Sequence, residues 1–96
     1  MQNPIICKTS VRKMIGLMFQ PKKSIILDLG SEQIVGLHMF FVFYPIDMVF
    51  LNKNKKVIEI KSNVKPFKPL IISPKCSYIL ETPEIGRYKL GEKIEF

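Results

Sequence analysis

Apolar residues fall in short runs broken by Pro, Gly, Asn and Ser, and one run has helical spacing. Short bounded runs read as strands, while apolar residues three and four apart read as one face of a helix. Pro4 to Lys8 predicts a first strand. Val11, Met14, Ile15 and Met18 predict a short helix over Val11 to Met18, with Thr9 or Ser10 as its N-cap. Gly16 weakens that helix and Pro21 ends the segment. Lys23 to Leu29 predicts a strand stopped by Gly30-Ser31. Leu37 to Phe43 predicts another, apolar on both faces and therefore central in a sheet.

The clearest pattern is a hairpin. Ile46 to Leu51 and Lys56 to Ser62 flank the connector Asn52-Lys53-Asn54-Lys55, which is short, polar and rich in turn formers. Lys65-Pro66-Phe67-Lys68-Pro69 holds two prolines and reads as an extended loop or an edge. Leu70 to Ser73 predicts a short strand, and Ser77 to Glu81 a strand ended by Thr82-Pro83. Gly91 marks a turn before a final strand, Lys93 to Phe96. These strands are too short and too closely spaced for βαβ units. The expected architecture is mostly β: a small, partly open, barrel-like antiparallel sheet of about seven short strands with one or two short helices. A chain of 96 residues makes one domain, residues 1–96.

Composition agrees with sheet. Isoleucine is abundant and alanine is absent. At 47% hydrophobic and 24% charged residues, the chain is not wholly disordered, collagen-like or a coiled coil. Ile34 to Leu51 is apolar enough to suggest a membrane span, but His38, Pro45 and Asp47 interrupt it. A spanning helix needs about 20 predominantly apolar residues, and Pro45 with Asp47 near its middle is costly. Two buried strands broken at Pro45 explain the run better. With no signal-peptide pattern at the start, a soluble, cytoplasmic protein is expected.

Charge is segregated. The formal net charge is +7 and the isoelectric point is near 9.6. Residues 1–27 carry five Lys or Arg and no acid; residues 53–75 carry seven Lys and Glu59. Between them, residues 28–52 carry Asp28, Glu32 and Asp47 and no basic residue. Thirteen of the 15 basic residues are Lys, whereas bidentate recognition of phosphate or guanine favours Arg.

Candidate chemistry is sparse. Cys7 and Cys76 form no Cys-x-x-Cys pair, and one histidine cannot complete a zinc site with them. Two reduced, buried thiols are expected rather than one long-range disulfide, and neither a metal nor a cofactor is expected. His38 and Asp47 are weak ligand-binding candidates: a base or metal ligand beside a carboxylate, provided the chain reverses at Pro45. The structural alternative gives Asp47 backbone N–H groups to accept at the strand start after Pro45. A Lys of the basic arm is one available partner for Glu81, which lacks a second carboxylate for acid catalysis. Met14, Met18, Met39 and Met48 with Phe40, Phe41, Phe43 and Phe50 read as core. Lys53, Lys55, Lys56, Lys61, Lys65 and Lys68 are weak anion-binding candidates. Phe67 between Lys65 and Lys68 gives the basic and aromatic interleaving of single-strand binders, but Pro66 and Pro69 frame it and no recognition helix accompanies it. A solvated lysine face is the plainer reading.

Four elements carry a family resemblance. Leu37 to Asn52, with Met39, Pro45-Ile46-Asp47 and Phe50-Leu51-Asn52, resembles the core signature of the prokaryotic family catalogued as domain of unknown function 192. Gly16-Leu17-Met18-Phe19-Gln20 resembles that family's Gly-Leu-Met-x-Arg element. Tyr78-Ile79-Leu80-Glu81-Thr82-Pro83 resembles its Tyr-x-Leu-Glu-x-Pro segment, and Leu90-Gly91-Glu92-Lys93-Ile94 its closing Val-Gly-Asp-x-Val. The chain departs where His38 replaces a common Trp, Phe40-Phe41-Val42 replaces Lys-Asn-Thr, and Gln20 replaces Arg. The segment after Glu81 is short, so the family's second helix shrinks to a turn around Ile85 to Leu90. The resemblance implies a small, mostly β fold with short helices, and it implies no activity.

The reading that follows is a small non-enzymatic binding or accessory domain whose partner the sequence does not name, monomeric or weakly self-associating. The alternative is a Lys-rich module for nucleic acid or anions, with nucleic acid not favoured. An enzyme built on His38 and Asp47 ranks third.

Overall fold

The computed structural model describes the backbone of residues 5–8 and, in full, residues 24–37, 44–66 and 70–96. The helix expected over Val11 to Met18 lies outside the described residues, and these contain no helix. Among the described residues seven strands follow in chain order: β1 (Ile5–Lys8), β2 (Ile25–Gln33), β3 (Gly36–Leu37), β4 (Ile46–Leu51), β5 (Val57–Val64), β6 (Ile71–Ile72) and β7 (Cys76–Thr82). Five form one sheet in the order β1-β2-β7-β4-β5, and β3 pairs with β6 in a separate ribbon. β1 runs parallel to β2; every other pair is antiparallel. The protein is mostly β, and among the described residues its main sheet is open, with β1 and β5 at opposite edges and no barrel closure.

β4 and β7 are the central strands. All six residues of β4 are buried, Asp47 included. One face packs Ile25, Leu27, Leu29, Met48, Phe50 and Ile79 with Leu37 and Ile71 of the ribbon. The other packs Ile26, Val49, Leu51 and Leu80 under Val57, Tyr88 and Ile94. A strand buried on both faces must read as a continuous apolar run, as Ile46 to Leu51 does apart from Asp47. The other strand expected to be buried on both faces, Leu37 to Phe43, begins in β3, and its remainder lies outside the described residues.

Two expectations change. β2 does not stop at Gly30-Ser31 but runs on to Gln33, which pairs with Cys76. Gly30 takes φ 79°, and its N–H donates to Asp28 Oδ1 at 2.9 Å. That contact closes a bulge, and the strand resumes beyond it. The final strand expected over Lys93 to Phe96 is reduced to a single bridge, Lys56 with Lys93. Its ladder ends there because Lys55, at φ 63°, already belongs to the hairpin turn. The tail is still pinned to the sheet edge: Val57 N–H donates to Glu92 O, Gly91 N–H to Val57 O and Ile94 N–H to Lys55 O, each at 2.9 Å. Among the described residues, no helix is long and apolar enough to cross a membrane.

Candidate anion-binding site

The β4–β5 turn sets the site. Asn52 Oδ1 accepts the N–H groups of Asn54 at 2.9 Å and Lys56 at 3.1 Å, and Asn52 O accepts that of Lys55 at 2.9 Å. This Asx-type turn holds three lysines, Lys53, Lys55 and Lys56, within four residues at one end of the sheet. The tail then brings Lys93 and Phe96 alongside. Together they line a groove of about 800 Å³, which Glu95 also lines. Lys55 is fixed most closely. Its Nζ donates to Phe96 O at 3.0 Å and lies 4.2 Å from the Phe96 ring centroid and 6.0 Å from that of Tyr78. Tyr78 and Phe96 meet edge to face, 5.0 Å apart at 77°. Ammonium over an aromatic face is an attractive arrangement, and Lys55 holds it while half-buried.

The other candidates lie elsewhere. Lys61 sits on β5 and pairs with Glu59 at 3.4 Å, both side chains exposed. Lys65 lies just past β5, where it shares a separate cleft with Lys61, Leu70 and Ile72. Lys68, Phe67 and His38 lie outside the described residues. Of the six candidate lysines, the five that are described fall in two clefts, Lys53, Lys55 and Lys56 in one and Lys61 and Lys65 in the other. Lys93, Phe96 and Tyr78 went unread as site residues. The signal was there in Gly91 before an Ile94–Phe96 alternation, but nothing local placed that tail beside residue 55.

Asp47 is 1% exposed and its carboxylate is occupied. Oδ1 accepts Ser62 Oγ–H at 2.9 Å and Asn63 N–H at 2.8 Å; Oδ2 accepts Gly86 N–H at 2.8 Å. Asn63 and Gly86 both have left-handed backbones, φ 53° and 77°. The carboxylate therefore ties a bulge in β5 and the 83–87 turn to the central strand. Glu81, opposite Met48 on β4 and Ile25 on β2, is 5% exposed. Burial pushes its carboxyl up to about 7. Cys76 is a free, buried thiol, raised in pKa by the same desolvation, with its Sγ 4.0 Å from Ser73 Oγ.

An open, largely antiparallel sheet with a lysine groove at one corner defines a small β domain with a localised basic edge. The chain belongs to the family catalogued as domain of unknown function 192, described as Uncharacterized ACR, whose model matches residues 5–91. It is 29% identical to a UPF0127 protein of Pyrococcus horikoshii, an alignment covering 95% of this chain and 84% of that one. Among solved structures it is similar to a protein of unknown function from Novosphingobium aromaticivorans, with TM-score 0.80, 21% identity and coverage of 95% and 72%. It is also similar to a Sinorhizobium meliloti chain described as a candidate transcription regulator, with TM-score 0.71, 23% identity and coverage of 80% and 64%. At those identities the two structures establish the shared fold alone.

Proposed function

We propose that the protein is a binding or accessory domain whose ligand is anionic and enters the groove between the β4–β5 turn and the tail. The observation that supports this is the meeting of Lys53, Lys55, Lys56 and Lys93 on one groove, although Lys93 is distant from the other three in sequence. Four ammonium groups repel one another in that groove, and the one carboxylate side chain that lines it, Glu95, offsets only part of their charge. Lys55 adds a second support. It holds a left-handed backbone that a lysine rarely adopts, at the position that aims its ammonium at the groove.

Inorganic tripolyphosphate, titrated by calorimetry at low ionic strength, is the direct probe. The double variant Lys55→Gln/Lys93→Gln is expected to bind about tenfold more weakly than wild type. Lys61→Gln/Lys65→Gln removes the same charge away from the groove and is expected to bind within about twofold of wild type. Equal weakening in both variants would mean that net charge, not the groove, attracts the anion.

A further inference from the structure

We infer that the groove takes a phosphorylated nucleoside whose phosphates all lie on one side of the base, an inference that rests on the anion-binding reading above. The basic groove does not end at its lysines. Lys53 also borders a second cavity, of about 310 Å³, lined by Asp28, Ser31, Glu32, Ser77 and Tyr78. The two cavities share Lys53, and the Tyr78–Phe96 pair joins them, since Phe96 lines the first and Tyr78 the second. Along this trough the chemistry changes: four ammonium groups with Glu95 among them, then an aromatic pair, then two carboxylates and hydroxyls with Lys53 alone.

Each part fits one part of a nucleotide. Lysine ammonium groups suit phosphate as compact point charges. An aromatic ring offers a stacking surface to any base. Carboxylates accept from sugar hydroxyls and from exocyclic amines. Glu32 also sets a direction, because it repels a second run of phosphates. A continuous strand crossing the trough would meet that repulsion; a free nucleotide, or the phosphorylated end of a strand, would not. Lys55 couples the two recognitions. Its ammonium covers the Phe96 ring at 4.2 Å, and a phosphate that draws it away uncovers the ring for the base.

Calorimetric titration of the intact protein with tripolyphosphate, with ATP and with a short RNA bearing a 5′-triphosphate tests this. ATP is expected to bind about tenfold tighter than tripolyphosphate, through stacking. Phe96→Leu keeps apolar bulk and is expected to abolish that advantage, bringing the affinity for ATP down to that for tripolyphosphate in the same variant, with circular dichroism verifying the fold. Phe96→Ala, held to the same fold criterion, should behave alike. ATP matching the RNA end supports a free nucleotide, and a tighter RNA end supports a strand terminus; both sustain the inference. Equal binding of ATP and tripolyphosphate to wild type, or equal loss of both in Phe96→Leu, overturns it and leaves the anion reading standing. No binding of tripolyphosphate removes the anion reading, and this inference with it.

Discussion

Lys55 sits where glycine would be less strained. A left-handed backbone costs an L-residue roughly 1–2 kcal/mol, and its contact with Phe96 returns about 0.5–1 kcal/mol. These nearly cancel, so Lys55→Gly is expected to change unfolding free energy by less than about 1 kcal/mol while weakening tripolyphosphate binding several-fold. A large destabilisation with unchanged binding would make Lys55 structural instead. Glu81 presents the opposite case, a side chain whose charge opposes folding. Its carboxyl is raised from 4.5 to about 7 by burial, so the folded state keeps a proton that the unfolded chain releases. Stability from this group is full below about pH 4.5, falls as pH rises and is gone above about pH 7, a loss of about 3 kcal/mol. Glu81→Gln should flatten that dependence and raise stability at about pH 8 by about 2–3 kcal/mol, read from urea unfolding at several pH values. A pH profile unchanged by the substitution would show that Glu81 does not titrate in this range.

At the scale of elements, Asp47 joins three pieces of chain through one carboxylate. Asp47→Asn replaces an acceptor oxygen with an NH₂ donor facing an N–H donor, either that of Gly86 or that of Asn63. It is expected to cost about 2–3 kcal/mol, seen as a lowered midpoint in thermal or urea unfolding. Full retention of stability would contradict the bonding described. The β4–β5 hairpin was legible in sequence because it is local: Asn52-Lys53-Asn54-Lys55 has turn chemistry, and Pro45 bounds Ile46 to Leu51. The continuation of β2 past Gly30 was not, because a glycine between polar residues looks like a stop until Asp28 is seen accepting its N–H. Asp47 was expected to take backbone donors. Those donors come from residues 63 and 86, which no local pattern links to residue 47. The groove was half legible for the same reason: Lys53, Lys55 and Lys56 are neighbours, whereas Lys93 and Phe96 arrive by tertiary folding.

Across the whole molecule, a formal charge of +7 would draw any polyanion weakly and everywhere. The groove makes a narrower claim, that one corner of the sheet concentrates the binding. Salt alone does not separate the two, since both weaken as ionic strength screens them. Position does. The most direct measurement is therefore a ¹H–¹⁵N amide titration with tripolyphosphate at low salt. Saturable shifts are expected at residues 52–57 and 91–96, with residues 59–65 of the same hairpin nearly still. Shifts spread along all the lysines, or centred on Lys61 and Lys65, would contradict a groove between the β4–β5 turn and the tail.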